Sequence, residues 1–433
     1  MPPKKNVLVI DQTPTKITAT IYDARGAQIG SGEKQVVSQS PQPRWAQYDA
    51  QEVFYGVQAS IQEAIHKAQI NPNTLVGMGL TMLSDCVVAW NPKTGKAYTE
   101  LIAPHCLRAE GVAQAMNNPS WRDDIVSQTG QRIEPYSMAC KIKWMNENHE
   151  SVIEVNRNEK PIVFGSVSSW ILFNLTGKKS LKMDGSEASR SQLMAVSAQG
   201  WSPLLCDYFG VDPKTLPDSV PNVEYFGMTR KCLSLPDGVP IYAVLPQHYA
   251  AFVGHCAGQL NVAYLHFGEL CRLMVHTGQT HVSQKDAFLA IRLNHGKKPS
   301  FGLEGYTASL SSMMPWLNVF HQNGRVHQLA EEEFANLQIK EGEDLLIYPI
   351  TEQRTSQRTL QAHNYVVKGL GPATTKRQLM AGALACLAYQ IKSLLNQYEL
   401  ISNTHVTEMI VDGDLGDHEA LLQWLSDVLQ ITI

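Results

Sequence analysis

The sequence has no run of about 18 apolar residues, so no stretch of it reads as a membrane span. It has no C-x-x-C and no paired His spacing. Its eight cysteines (Cys86, Cys106, Cys140, Cys206, Cys232, Cys256, Cys271 and Cys386) are scattered. That argues against a disulfide scaffold or a zinc site and for a reducing, cytoplasmic setting. Neither sign of charge is in large excess: 36 Lys and Arg against 40 Asp and Glu leave a net charge of −4. Electrostatics therefore gives no reason to expect nucleic acid or an acidic membrane as partner. The opening Met1-Pro2-Pro3-Lys4-Lys5 lacks the apolar region of a signal peptide, and its lysines read as a solvated end. Low-complexity tracts are absent.

What is present is globular: 44% hydrophobic and 18% charged residues over 433 positions, more than one ordinary core. The apolar run Val7 to Ile10 predicts a buried strand ending at Asp11. Lys16 to Asp23 alternates and predicts its hairpin partner across Gln12-Thr13-Pro14-Thr15, and Gln28 to Val37 supplies a third strand. Val53, Val57, Ile61 and Ile65 recur at a period near four, predicting a helix over 51–69. Strand character returns over Thr74 to Trp90, broken at Met82 to Cys86. Ile162 to Gly165 predicts a short strand, with Ser166 capping the helix that follows. A second region starts near Gly254. Val262 to Phe267, Cys271 to His276 and Ser300 to Thr307 predict strands. Ser311 to Gln322, Thr375 to Tyr398 and Glu419 to Leu429 predict helices, and Thr351 to His363 a loop. Strand hairpins followed by helices, given twice, predict two similar α/β domains with a cleft between them.

Several motifs then resemble one family. Pro41-Gln42-Pro43-Arg44-Trp45 with Tyr48-Asp49 is similar to P-Q-P-G-W…H-D. Thr94-Gly95-Lys96 with Tyr98 resembles T-G-K-P-x-Y. Thr129-Gly130, Glu134-Pro135-Tyr136 and Lys141-Ile142-Lys143-Trp144 resemble T-G…D-P-Y…K-V-K-W. Asp184 with Ala188-Ser189-Arg190 resembles D-x-x-x-A-S-R. Leu303-Glu304-Gly305 with Trp316, Leu387 to Gln390, and Val411-Asp412-Gly413 follow in order. Each match is weak, but their collinearity over nearly the whole chain resembles the FGGY carbohydrate-kinase family, and glycerol kinases within it. The resemblance implies two ribonuclease-H-like (actin-like ATPase) domains around a central cleft. It implies a substrate-side domain at 1–252, a nucleotide-side domain at 253–433 without the family's closing segment, ATP and Mg²⁺ as cofactors, a small polyol or sugar as partner, and homo-oligomers.

Carried over position by position, the resemblance puts a metal-side carboxylate at Asp11; the alternative is a turn residue ending a strand. Oxygen ligands suit a hard cation. Thr13 and Thr15 stand in the first phosphate turn, where Pro14 has no N–H to donate. The substrate positions are Ser84, Asp85 and Tyr136, with Ser84 unable to replace the family's arginine. Gln247 occupies the place of the catalytic Asp, and a neutral amide does not accept a proton near pH 7. His248 is either a rescuing base or a substituted substrate contact. The second phosphate turn reads Phe267-Gly268-Glu269-Leu270, where Glu269 opposes phosphate. Gly413 is followed by Asp414 where the family has glycine. Phosphotransfer is therefore expected to be impaired or lost. An active kinase with a rearranged site and a non-catalytic scaffold are the alternatives.

Overall fold

The computed structural model describes residues 5–256, 258–268, 270–282, 289–293, 298–307, 337, 339–342, 344–350 and 364–433. The expected helix at Ser311 to Gln322, with Trp316, and the expected loop at Thr351 to His363 lie outside them. The chain divides into two compact units, residues 1–251 with 291–300, and residues 252–290 with 301–433.

The first unit is built on β1 (Asn6–Gln12), β2 (Lys16–Tyr22), β3 (Gln28–Gln35), β4 (Leu75–Met82), β5 (Val223–Met228) and β6 (Pro240–Pro246). Their order across the sheet is β5-β6-β4-β1-β2-β3. The first hairpin pairs antiparallel, while β4 runs parallel to β1 and β6 parallel to β4. Alternation explains the buried face: Leu8 and Ile10 of β1 and Ile17, Ala19 and Ile21 of β2 are inaccessible.

That face receives α1 (Ala50–Ala68), which buries Val53, Val57, Ile61 and Ala64 along one stripe. Asp49 caps its start by accepting from the Glu52 N–H at 2.9 Å. Two glycines of β3 set the distance. A Cβ on Gly32 would lie 2.2 Å from the Ser60 carbonyl oxygen, so the helix backbone rests directly on the strand. Further along are α2 (Met138–Asn148), α3 (Val167–Leu175) and α4 (Gly185–Arg190). The Ser166 hydroxyl caps α3 by accepting from the Ser169 N–H. Helix α5 (Gln247–Cys256) starts directly after β6, and the division between the units falls inside it.

A second sheet repeats the plan with β7 (Val262–Phe267), β8 (Cys271–Gly278), β9 (Leu289–Leu293), β10 (Ser300–Thr307) and β11 (Glu408–Gly413), in the order β9-β10-β8-β7-β11; it belongs to the second unit apart from Ile291–Leu293 and Ser300. β7 and β8 form an antiparallel hairpin, and β11 lies parallel to β7. The core forms against α6 (Lys376–Ser402) and α7 (Glu419–Leu429). Helix α6 is long and apolar enough to span a membrane by length and composition, but 72% of that window is buried within the fold. Its start is fixed by a capping box between Thr375 and Gln378. All eight cysteines are unpaired, and all but Cys232 are buried.

Because Gly32 touches main chain, Gly32→Ala is expected to destabilise the first unit by about 1–3 kcal/mol through overpacking. Gly111→Ala, where a Cβ meets nothing within 4 Å, is expected to be neutral or slightly stabilising. Urea unfolding of the two variants checks the contrast.

Candidate functional site

In the first unit the C-terminal ends of three parallel strands converge, the place where open α/β sheets present ligands. β1 ends at Asp11-Gln12, β4 leads into Ser84-Asp85, and β6 delivers Gln247. The register puts Asp11 opposite Thr81, and Met82 opposite Pro246. The Thr81 hydroxyl donates to the Asp11 carboxylate. Burial pushes the Asp11 carboxyl above its ordinary value, against that hydrogen bond and Lys16. Its half-buried carboxylate suits a hard cation such as Mg²⁺.

The adjoining turn does not suit a phosphate. The Thr13 N–H donates to the Lys16 carbonyl at 2.9 Å, and the Lys16 N–H donates to the Thr13 hydroxyl at 3.2 Å. Pro14 has no N–H, and its carbonyl accepts from the Tyr48 hydroxyl at 3.0 Å. These amide hydrogens close the turn on itself; Thr15 is exposed beside it.

Asp85 lies in a left-handed conformation, φ 57°, on the break between β4 and the next strand. Its carboxylate is buried against Arg190, with Nη2 at 2.8 Å and Nε at 3.2 Å from the same oxygen. The Asp85 N–H donates to Glu187 at 2.7 Å. The Asp85 carbonyl accepts from the fully buried Lys141 ammonium at 2.6 Å, which also reaches the Ala103 carbonyl at 2.9 Å. Ser84 is half-buried beside it, and Tyr136 is buried.

Burial, with the Asp85 charge next, pushes Glu134 up to about 8, and burial alone drives Asp184 up to about 7. Glu187 is raised for the same first reason, and burial lowers Lys141. Asp184 also caps α4, accepting from the Glu187 N–H at 3.0 Å. Four carboxyl groups and two cations thus share one dry region.

Gln247 is the first residue of α5 and is half-buried. His248 is buried with its ring edge-on to Tyr249 at 4.4 Å, and the Tyr249 hydroxyl accepts from Arg190 at 2.8 Å. One guanidinium therefore joins the Asp85 turn to the residues after Gln247.

In the second unit, β7 and β11 end side by side, Phe267 opposite Gly413. Gly413 has φ 88°, and a Cβ there would overlap the Phe267 carbonyl at 2.2 Å, so only glycine fits. The Asp414 N–H donates to that carbonyl at 2.8 Å. A Cβ on Gly268 would meet His266 Nε2 at 2.9 Å. Glu269 lies outside the described residues.

Two α/β units of like topology, each with glycine or carboxylate turns at parallel strand ends, define the two-domain actin-like ATPase fold. Solved structures share it: a Plasmodium falciparum glycerol kinase with ADP superposes with a TM-score of 0.88 at 20% identity, covering 98% of this chain and 85% of that one. A xylulose kinase from Rhodospirillum rubrum gives 0.84 at 15% identity over 99% and 85%. Residues 6–254 match the N-terminal domain and residues 263–433 the C-terminal domain of the FGGY family of carbohydrate kinases. The chain belongs to the FGGY family. Among its relatives, the glycerol kinase of Oceanobacillus iheyensis is 27% identical over 99% of this chain and 86% of its own length, and that of Xylella fastidiosa strain M12 is 24% identical over the same shares.

Sequence reasoning did not assign Arg190, Glu187, Glu134 or Lys141 to the site, although three of them stand in quoted motifs. A buried charge was detectable only at Lys141, which interrupts the apolar run Met138 to Ile142.

The raised carboxyls carry a pH signature. Between the ordinary values of 4.5 and 3.8 and the folded values near 8 and 7, the unfolded chain ionises while the folded chain stays protonated. Stability of the first unit is therefore expected to fall as pH rises from about 4 to about 8, by up to about 1.4 kcal/mol per pH unit per group, and to level off above. Glu134→Gln should flatten its share, as read from denaturant midpoints across that range.

Proposed function

We propose that this FGGY protein is glycerol-kinase-like, with ATP-dependent phosphotransfer to a polyol or sugar impaired or lost. Residues 1–252 form the polyol or sugar side, and residues 253–433 the nucleotide side, in a cytoplasmic and homo-oligomeric protein. The observation that carries the reading is Gln247, an amide at the head of α5 where the resemblance puts the proton acceptor. The neighbouring carboxylate has another engagement: Asp85 is ion-paired with Arg190. A missing general base removes about 10²–10⁴-fold in rate.

Mg²⁺ held at Asp11 would neutralise phosphate charge in a nucleotide. The closed Thr13 turn withholds the amides that would position the phosphates. The half-buried Asp11 carboxylate, placed at a strand end where a cation could sit, is what favours the second reading, a kinase with a rearranged site.

A coupled ADP-release assay across glycerol, pentuloses and hexoses separates the two, and background rates throughout are expected. Turnover that survives Gln247→Ala and disappears with Asp11→Ala would overturn the loss of phosphotransfer. Light scattering tests the oligomer.

A further inference from the structure

We propose that His266 is a phosphate-facing donor of the second unit, an imidazole anchored by Asp412 against the Gly268 turn, which engages a phosphoryl group when the ring is protonated. The proposal rests on the reading of the Gly268 and Gly413 turns as the nucleotide side.

His266 lies on β7, two residues before Gly268. Its Nδ1 is 2.7 Å from Asp412 Oδ1, across the parallel pairing of β7 with β11. Its Nε2 edge faces Gly268, where a Cβ would come within 2.9 Å. With Nδ1 donating to the carboxylate, a neutral ring presents a lone pair at Nε2 and repels an anion. A protonated ring presents a charged N–H donor, the stronger kind of contact for phosphate.

The carboxylate is an anchor rather than a ligand. The Tyr264 hydroxyl donates to it, 2.9 and 2.8 Å from the two oxygens, and His255 Nε2 lies 3.4 Å from the second. The His255 ring stacks on Tyr264 at 5.4 Å, which ties the far end of α5 to the same carboxylate. Burial works to raise Asp412, but the hydrogen bonds from His266 and Tyr264 outweigh it and leave the carboxyl below its ordinary value. It therefore remains ionised and holds Nδ1 in place.

Two imidazoles and a carboxylate suggest a metal first. Against that, the Tyr264 hydroxyl sits between the two carboxylate oxygens, and among the described residues no group has metal-binding geometry. Among the described residues the other charges near the ring are Arg272, opposite His266 on β8 but paired with Glu304 at 3.0 Å, and Asp414, whose N–H donates to the Phe267 carbonyl; Glu269 of the same turn lies outside them.

The test is calorimetric binding of tripolyphosphate, ADP and adenosine at pH 6.0 and 8.0, with the full chain and its His266→Gln variant. Tripolyphosphate and ADP are expected to bind about tenfold more tightly at pH 6.0, the size of one charge-assisted contact, and adenosine equally at both. His266→Gln should remove that difference while its melting curve matches the parent. If the variant does not fold, the parent still decides: tripolyphosphate must shift the His266 ring resonances at pH 6.0. A pH difference that persists in a folded His266→Gln, an equal one with adenosine, unmoved ring resonances, or no binding of either phosphate probe overturns the proposal. Turnover in the ADP-release assay would instead overturn the loss of phosphotransfer and leave the role of His266 standing.

Discussion

The first unit is organised by one buried ion pair. Asp85 and Arg190 are almost wholly removed from water, and such a pair is costly to break from one side, about 3–5 kcal/mol, because the remaining charge has no solvent. Everything around it follows. The main chain at Asp85 takes a left-handed turn, Glu187 and Lys141 satisfy that turn's amide and carbonyl, and Tyr249 receives the third guanidinium contact. The polar groups are mutually dependent, which suits a site whose shape must not drift. They also leave the Asp85 carboxylate oriented by protein on one side, through Arg190.

The two units solve the same topological problem with different end groups. In each, a hairpin lies beside a parallel strand, and the turns at the strand ends are where a ligand meets main chain. In the first unit the hairpin turn closes on itself through Thr13 and Lys16. In the second, glycine is retained at Gly268 and Gly413, and Gly413 is sterically obligatory. The two strand-end turns therefore differ in what their main chain leaves open: one is closed by its own hydrogen bonds, the other is shaped by glycine.

Much of the architecture was legible in the residues. A continuous apolar run predicted β1, alternation predicted β2, the period-four stripe predicted α1, and Glu419 to Leu429 agrees with α7 residue for residue. The helices over Glu110–Met116, Pro119–Thr129 and Glu150–Arg157 were not read from the sequence: the first and last are only seven and eight residues long, and the second carries a weak stripe. The site was legible only where a family motif named a position. Arg190 stood in such a motif yet declared no role, since its partner is 105 residues away in sequence. Asp412 likewise stood in a quoted motif, but its pairing with His266 exists only once β7 and β11 lie side by side.

The cysteines give the fold a built-in chemical clock. Desolvation pushes the thiols of Cys86, Cys140, Cys206, Cys256 and Cys271 up to about 12, so while the chain is closed they hold their protons and resist alkylating reagents. Three of these sit in the first unit and two in the second. The order in which they become reactive therefore records which half loosens first, without any added label.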